Sequence, residues 1–295
     1  MRAAIIFDGR LELEERPDPE PGSGELLIRM HAAGVNSADL LQRAGRYPPP
    51  PGAPVDIPGL ECAGENVATG ERVMALLPGG GHAELVTVDE RHVLAVPDAI
   101  NWPPAGGFME VFATAHDALF SQAELKPGER LLVNGAAGGV GVAAVQLGLA
   151  AGAEVTGTAR RHADRVRALG AAVEPDGEYD VILELVGGDN LTADIGRLAL
   201  HGRLAVIGTG AGARAEIDFG LVMRRRARVH GSTLRSRSGD EKAQVVDRVG
   251  RDVLPLLASG RVTVPVHDTF PLEDAQEAYE AFAAGGKFGK LVLVA

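Results

Sequence analysis

The sequence predicts an α/β protein in which a doubly wound parallel sheet is inserted into a β-rich domain. About the first ninety residues consist of short β-branched runs separated by proline and glycine, which is typical of strands and tight turns. Residues 114–246 instead alternate short apolar strands with helices, as parallel βαβ crossovers do. Residues 247–295 contain no glycine-rich turn of their own, so we expect this tail to return and complete the domain formed by residues 1–113.

Alternation and proline positions predict the elements of the first domain. Its strands are predicted at residues 2–7, 25–33, 71–76 and 83–88. Four consecutive prolines at 48–51 are incompatible with regular helix or a central strand and predict a stiff surface loop, which holds the preceding Tyr47 in an extended conformation. The tail is predicted to add a helix at 241–259, a strand at 261–266, a helix at 272–284 and a strand at 290–294.

The middle of the chain is predicted to form a sheet that is buried on both faces, because the runs LLV, VILELV and LAVIG are apolar without alternation. Its strands are predicted at residues 130–134, 154–158, 180–185, 203–208 and 228–232. Its helices are predicted at residues 113–125, 139–151, 162–169 and 191–200. The sequence Lys126-Pro127-Gly128 ends the first of these helices.

Composition excludes several classes of protein. The 295 residues include 29 Lys and Arg against 40 Asp and Glu, a net charge of −11, which argues against nucleic acid or an anionic membrane as a partner. The single cysteine, Cys62, excludes a disulfide framework and a multi-cysteine zinc site. The N-terminus has no signal-peptide pattern, and no stretch approaches the ~20 apolar residues of a membrane span. We therefore expect a cytoplasmic protein.

The stretch NGAAGGVG, residues 134–141, lies between a predicted strand and a predicted helix. In a Rossmann unit with the pattern G-x-G-x-x-G, the second glycine lets the backbone approach the pyrophosphate and the third lets the helix pack on the strand. Gly138 and Gly141 occupy these positions, and alanine replaces the first glycine, which the turn tolerates if φ stays negative. The helix start offers free N–H groups and a positive dipole end to phosphate. The predicted dinucleotide contacts are Ala136, Ala137, Gly138, Gly139, Val140 and Gly141.

The end of the second predicted strand indicates which dinucleotide binds. An NAD site usually places an acidic residue there, ~20 residues after the glycines, to bind the ribose hydroxyl. This chain has Gly157-Thr158-Ala159-Arg160-Arg161 instead. A guanidinium pairs with the 2′-phosphate of NADPH, so Thr158, Arg160 and Arg161 are predicted cofactor contacts and NADPH is the predicted cofactor. The alternative is that both arginines simply begin a solvated helix.

Several motifs in a fixed order resemble the medium-chain dehydrogenase/reductases, and within them the zinc-free NADPH:quinone oxidoreductases. They include HAAGVNSADLLQRAGRYPPPPGAP, IPGLECAGE, LKPGERLLVNGAAGGVGVAAVQLGLAAGAEV, VHGSTLRSR and GKFGKLVLVA. The resemblance covers nearly the whole chain and makes Ala136 an expected residue of the loop. It implies a GroES-like catalytic domain formed by residues 1–113 and 247–295, a Rossmann domain formed by residues 114–246, and an active site in the cleft between them. It also implies a homodimer joined at the sheet edge near residues 229–233.

The resemblance implies that this chain holds no zinc. Zinc-dependent relatives carry a cysteine ligand where this chain has Asn36 and a histidine ligand where it has Leu60. Without a metal, the resemblance makes Tyr47 the candidate that donates a hydrogen bond to the substrate oxygen. Asn36 is expected to hold cofactor or substrate by its amide, and Asp39 to orient Asn36, Arg43 or a water. The alternative for Tyr47 is a loop aromatic packed on the prolines.

The family pattern implies further cofactor contacts at Thr114, Val186, Gly208, Thr209, Thr233, Leu234 and Phe288. Val186, Gly208 and Thr209 end strands at the carboxyl edge, where open α/β sheets bind ligands. Two segments are shorter than in relatives, at residues 66–70 and within residues 170–182. The second lacks the tyrosine that many NADPH-binding relatives carry there, which leaves more of the 2′-phosphate binding to the arginines.

Three functions follow from these features. The first is hydride transfer from NADPH to a small-molecule quinone. The second is reduction of a C=C bond conjugated to a carbonyl or thioester, which uses the same fold and cofactor. The third is a low-turnover NADPH-binding sensor or structural protein. Activity with quinones against enoyl thioesters, and binding of NADPH without oxidation, distinguish the three.

Overall fold

The computed structural model describes residues 1–295 as two compact units. Unit 1 comprises residues 1–113 and 234–295, and unit 2 comprises residues 114–233. Unit 1 is rich in antiparallel β-structure and unit 2 is a parallel α/β sheet, so the predicted fold class is confirmed. None of the helices is both long and apolar enough to cross a membrane.

The elements alternate along the chain and are numbered here in order. The strands are β1 Arg2–Phe7, β2 Arg10–Glu15, β3 Glu25–Gly34, β4 Glu61–Asn66, β5 Arg72–Leu76, β6 Leu85–Asp89, β7 Val93–Ala95, β8 Arg130–Asn134, β9 Glu154–Thr158, β10 Tyr179–Glu184, β11 Leu198–Val206, β12 Arg228–Gly231, β13 Val266–Pro271 and β14 Lys290–Val294. The helices are α1 Ser37–Arg43, α2 Trp102–Gly106, α3 Met109–His116, α4 Gly139–Ala150, α5 Ala163–Ala168, α6 Asp189–Arg197, α7 Phe219–Arg225, α8 Gly239–Asp252, α9 Leu254–Ala258 and α10 Ala275–Ala284.

Unit 1 is built on a seven-stranded sheet in the order β13-β14-β3-β4-β5-β7, with β6 also paired to β3, and on the separate hairpin β1-β2. The C-terminal strand β14 pairs antiparallel with β3, so the tail completes the first domain as predicted. The core lies between the sheet and α10, where Tyr279 is fully buried with Ile28, Met30 and Leu293. Strands β2, β4 and β7 and helix α1 were not predicted from the sequence.

The expected strand at 261–266 is wrong. Val266 begins β13, and residues 261–265 are not in a strand. Pro265 has no N–H to give to a ladder, although its carbonyl accepts from the Lys290 N–H at 2.9 Å. Parallel pairing with β14 therefore starts only after the proline.

The second boundary between the units lies at 233/234 rather than at 246/247. The reason is the packing of α8, which belongs wholly to unit 1. His92 Nε2 lies 2.8 Å from the Gly239 carbonyl oxygen. The Arg91 guanidinium contacts Asp240 at 2.6 Å. These contacts attach the start of α8 to the segment between β6 and β7.

Unit 2 is a five-stranded sheet in the order β12-β11-β10-β8-β9, with all pairs parallel. Asn134 at the end of β8 is in register with Thr158 of β9 and with Glu184 of β10. Three polar residues therefore meet at the carboxyl edge of a sheet whose interior is apolar.

Two predicted helices of unit 2 have different limits in the structure. The helix expected at 191–200 ends at Arg197, because Leu198 begins β11 and is fully buried against Tyr179. The helix expected at 113–125 begins earlier, as α3, and continues into a wider π-helical turn over residues 117–122.

Candidate active site

In unit 2, the glycine-rich turn joins β8 to α4. Gly135 has φ of +82°, whereas Ala136 is not among the residues with positive φ, so the left-handed position of the turn falls one residue before the alanine. The N–H groups of Gly135 and Ala136 donate to the Thr158 carbonyl at 3.2 and 2.9 Å. The replacement of the first fingerprint glycine by Ala136 is therefore compatible with the turn.

Gly138 and Gly141 are glycines for different reasons. A Cβ on Gly141 would lie 2.3 Å from the Gly135 oxygen, so the helix could not pack against the turn. A Cβ on Gly138 would meet only that same oxygen at 3.5 Å, an ordinary contact. Gly138 precedes the first turn of α4, whose N–H groups have no intrahelical partners. No packing contact within the protein therefore requires glycine at position 138. Gly138 and the first-turn N–H groups of α4 fit a dinucleotide phosphate.

A buried polar network, which the sequence analysis did not single out, connects the strand ends around this turn. The Asn134 amide donates to Glu184 at 2.7 Å and to Asp194 at 2.8 Å, and the Thr158 hydroxyl donates to the Asn134 oxygen at 2.9 Å. Burial and the interaction with the Glu184 carboxyl raise the pKa of Asp194 to about 8, because both disfavour the charged form of Asp194. The available signal was Glu184, an acidic residue that follows the apolar residues 181–183 of strand β10, because buried acidic residues are almost always paired.

The Glu184 carboxylate also fixes the backbone at Val186, which is a predicted cofactor-contact residue. It accepts from the N–H groups of Val186 and, at 2.7 Å, of Gly187. Gly208 packs so closely that a Cβ would lie 2.4 Å from the Leu185 oxygen, and Thr209 beyond it is exposed. These residues lie at the carboxyl edge of the sheet, where the sequence places a ligand.

The remaining predicted cofactor-contact residues in unit 2 differ in the exposure of their side chains and in the hydrogen bonds that those side chains make. Arg160 and Arg161 follow β9, are exposed and form no ion pair within the protein. The Thr114 hydroxyl is buried without a hydrogen-bond partner. The Thr158 hydroxyl is used by Asn134. Thr233, after β12, is exposed.

In unit 1, Asn36 belongs to a buried charged network with Glu61 and Lys290. The Lys290 ammonium contacts Glu61 Oε1 at 2.6 Å and Asn36 Oδ1 at 2.7 Å. The Asn36 amide nitrogen donates to Glu61 at 3.0 Å and to the Gly34 carbonyl at 3.2 Å. Both amide hydrogens are therefore used within the protein. Within the protein, Asn36 therefore has no amide hydrogen left to donate, and its expected contact with a cofactor or substrate stays a prediction.

Asp39 is fully buried and orients the backbone around Asn36. Its carboxylate accepts from the Asn36 N–H at 2.8 Å and from the Gly59 N–H at 3.0 Å. Burial raises the pKa of Asp39 to about 6, and these two hydrogen bonds oppose that shift. Of the three partners considered, the structure supports Asn36, and Arg43 instead lies over the Tyr279 ring at 5.3 Å.

Tyr47 is held by Arg235, a buried arginine that the sequence analysis missed. The Arg235 guanidinium donates to the Tyr47 carbonyl at 3.1 Å and to the Pro78 carbonyl at 2.8 Å, and lies 5.3 Å from the Tyr47 ring centre. It also donates to the Gln42 side chain at 2.5 Å. Burial raises the pKa of the Tyr47 hydroxyl, so the phenol stays protonated. The predicted residues Leu234 and Phe288 are buried at 7 % and 2 % exposure.

The residues at the two zinc-ligand positions do not fit zinc. The Asn36 amide is hydrogen-bonded to a carboxylate and an ammonium, and Leu60 is an apolar side chain that is 1 % exposed. The positively charged Lys290 ammonium contacts both Asn36 and Glu61, which disfavours a metal cation at this position. No group of three His, Cys, Asp or Glu residues in the chain has a geometry suited to a metal ion.

A parallel sheet with a glycine-rich turn, combined with an antiparallel unit that takes up both chain ends, defines the alcohol dehydrogenase class of fold. Residues 22–98 match the sequence model of the alcohol dehydrogenase GroES-like domain, and residues 155–293 match that of the zinc-binding dehydrogenase. The chain is 30 % identical to a quinone oxidoreductase of Lama guanicoe over 100 % of this chain and 97 % of the relative. It therefore belongs to the medium-chain dehydrogenase/reductase family, of the quinone oxidoreductase type, and is an oxidoreductase.

Solved structures agree with this assignment. A quinone oxidoreductase from Thermus thermophilus, solved also with NADPH, is 34 % identical over 100 % of both chains, with a TM-score of 0.89. The CurK enoyl reductase shares the fold with a TM-score of 0.85 at 22 % identity, covering 99 % of each chain. The latter similarity concerns the fold alone.

Proposed function

We propose that this protein is a zinc-independent reductase that transfers hydride from NADPH to a quinone. The observation that carries the proposal is the Asn36–Glu61–Lys290 network. The family resemblance implies that zinc-dependent relatives have a zinc ligand at the position of Asn36. A reductase without a Lewis acid needs another donor for the substrate oxygen. Tyr47, protonated and fixed by Arg235, is that donor.

Unit 2 supplies the features that bind the cofactor. The first-turn N–H groups of α4 and its dipole favour the pyrophosphate. Arg160 and Arg161 are exposed and unpaired after β9, where an NAD site would have an acid, and they suit a 2′-phosphate. The NADPH complex of the Thermus thermophilus relative supports this choice of cofactor.

When bound, the nicotinamide would supply the hydride, and the protein positions the acceptor and excludes water. The Tyr47 hydroxyl donates a hydrogen bond to the acceptor oxygen on which negative charge develops. Arg235 restrains the Tyr47 backbone and ring. Asp39 holds the chain before α1 by accepting from the N–H groups of Asn36 and Gly59.

The proposal is tested by following NADPH oxidation at 340 nm, the absorbance of reduced nicotinamide, with 1,2- and 1,4-quinones, enoyl thioesters and no acceptor. We expect turnover with quinones, a preference for NADPH over NADH, and unchanged activity after dialysis against a chelator. Turnover of enoyl thioesters alone would replace the proposal by C=C reduction. Tight NADPH binding without oxidation by either acceptor class would indicate a sensor or structural protein, and activity lost to the chelator and restored by zinc would contradict zinc independence.

A further inference from the structure

Glu184, the last residue of β10, fixes the chain on both sides of the strand end. The residue is fully buried. Its Oε1 accepts from the backbone N–H groups of Val186 and, at 2.7 Å, of Gly187. Its Oε2 accepts from the Asn134 amide at 2.7 Å. One carboxyl oxygen therefore holds the backbone beyond the strand, while the other attaches Glu184 to the end of the neighbouring strand β8.

Two loops of unit 2 are joined by their backbones next to Glu184. The β10 loop is residues 185–188, which follow β10, and the β11 loop is residues 207–212, which follow β11. Backbone hydrogen bonds of 2.8–3.1 Å connect the end of β10 and its loop to the β11 loop. They run from the N–H groups of Ile207 and Gly208 to the Glu184 carbonyl, from Ala211 to the Val186 carbonyl, and from Gly188 to the Gly212 carbonyl.

The β10 loop and the β11 loop also pack against each other without space for side chains. Gly187 has φ of +81°, and a Cβ on it would lie 2.5 Å from the Gly212 oxygen. A Cβ on Gly208 would lie 2.4 Å from the Leu185 oxygen. Because neither loop has room to shift without the other, the carboxylate that fixes the β10 loop also sets the position of the β11 loop.

Asn134 gives the hydrogen bonds around Glu184 a fixed direction. The Asn134 oxygen accepts from the Thr158 hydroxyl at 2.9 Å. The Asn134 amide nitrogen donates to Glu184 at 2.7 Å and to Asp194 at 2.8 Å. Rotating the amide would aim its oxygen at two carboxyl groups and its nitrogen at a hydroxyl donor, so the observed orientation is the favourable one. Glu184 must therefore accept with both oxygens, which a glutamate does and a glutamine does not.

We propose that Glu184 is a positioning residue of the cofactor site, an assignment that rests on the proposed use of NADPH. The β10 loop and the β11 loop contain the predicted cofactor contacts Val186, Gly208 and Thr209, at the sheet edge where open α/β sheets bind ligands. Glu184 is fully buried and both of its carboxyl oxygens are used within the protein, so it acts through the loop backbone. Loops that are fixed before the cofactor arrives need not be ordered on binding, which strengthens binding.

The test compares Glu184→Gln with the double variant Asn134→Asp/Glu184→Gln. In the single variant, the new amide nitrogen faces either the Asn134 amide nitrogen or the two loop N–H groups, so a donor meets a donor in both orientations. We expect the Kd of NADPH and of NADH to rise by roughly tenfold, the effect of losing a hydrogen bond to a charged group. In the double variant, a carboxylate at position 134 accepts from the new amide, so both Kd values should return towards those of the wild type.

Two controls separate positioning from a general loss of stability. Glu174→Gln makes the same chemical change at an exposed glutamate of unit 2 and should bind NADPH like the wild type. Ile182→Val, at a fully buried position of β10, should lower Tm without changing the Kd of NADPH. The ratio of the Kd values for NADPH and NADH should stay at the wild-type value in Glu184→Gln, because the two loops follow β10 and β11, whereas Arg160 and Arg161 follow β9.

The possible failures are distinguishable. A wild type that binds neither NADPH nor NADH overturns the proposed function and this assignment with it, whereas one that binds NADPH and reduces no quinone overturns the proposed function alone. If the wild type binds NADPH, the role of Glu184 is overturned by an unchanged Kd in Glu184→Gln, by an equal rise in Ile182→Val, or by a double variant that restores nothing. If a Glu184 variant does not fold, Gly187→Ala decides, because it displaces the β10 loop and leaves the Glu184 side chain in place: a raised Kd supports the role and an unchanged Kd overturns it.

Discussion

At the scale of single residues, the same residue type has different functions according to its partners. Arg235 is buried and donates hydrogen bonds to Pro78, Tyr47 and Gln42, so its role is to hold these segments together. Arg160 is exposed after β9 and has no such partner within the protein. An unpaired guanidinium at the end of β9 is free to pair with a phosphate, whereas Arg235 is held in place by three hydrogen bonds within the protein.

Replacing both Arg160 and Arg161 by alanine should lower the preference for NADPH over NADH by about tenfold or more. A hydrogen bond to a charged group contributes roughly 1.5–3 kcal/mol, and only NADPH carries the 2′-phosphate that would accept it. The measurement is the ratio of kcat/KM for the two cofactors. Arg167→Ala, at an exposed arginine of α5, is the control and should leave the ratio unchanged. An unchanged ratio in the double variant would contradict the assignment of NADPH binding to these arginines.

At the scale of elements, the glycine-rich turn combines a packing requirement with a ligand requirement. Gly141 is required by the protein, because a side chain there would collide with the Gly135 carbonyl at 2.3 Å. Gly138 is not, because its Cβ would make only one contact at 3.5 Å. The stability of α4 and its ability to bind phosphate are therefore separable by mutation.

Gly141→Ala should lower the free energy of unfolding by roughly 1–3 kcal/mol, the usual cost of overpacking. Gly138→Ala should leave stability unchanged and weaken NADPH binding, because the added methyl group occupies space that the pyrophosphate would approach. Gly196→Ala, in α6 with open space around it, is the control and should raise stability by up to about 1 kcal/mol. Thermal unfolding and NADPH titration measure these effects. Unchanged NADPH binding by Gly138→Ala would contradict the predicted site.

At the scale of the whole molecule, unit 2 leaves one edge of its sheet unpaired. Strand β12 pairs only with β11, and its Val229 is 41 % exposed. On the preceding helix α7, Phe219 is 70 % and Met223 is 76 % exposed. An open edge strand with apolar neighbours is a surface that proteins usually cover. We propose that a second copy of the chain covers it, as the family resemblance implies.

Light scattering should therefore give twice the mass of one chain. Val229→Lys should shift the equilibrium towards the monomer, because a charge on the edge strand opposes pairing with another edge. Val55→Lys, at a valine of unit 1 that is 76 % exposed, is the control and should remain dimeric. A monomeric wild type, or a Val229→Lys variant that stays fully dimeric, would contradict this interface.

The local sequence pattern was sufficient to predict the elements that are marked by apolar runs or by a glycine-rich turn. The apolar runs of β8, β10 and β14 and the glycine turn before α4 were all predicted. Strand β4 was not, because ECAGEN has little β-propensity and is a strand only through its pairing with β3 and β5. The unit boundary was misplaced for the same reason, since the contacts of α8 with Arg91 and His92 join residues far apart in the chain.

The sequence by itself predicted the fold class, the dinucleotide turn and the candidates Arg160 and Arg161, because these depend on residue types at short spacings. The family resemblance added the candidate Tyr47. Only the tertiary structure showed that the Asn36 amide is hydrogen-bonded to Glu61 and Lys290, because these residues lie on strands that are distant from Asn36 in the sequence. Only the tertiary structure showed that the Glu184 carboxylate fixes the loop after β10. Buried polar groups take their protonation and their role from neighbours brought together by folding, and sequence spacing does not specify those neighbours.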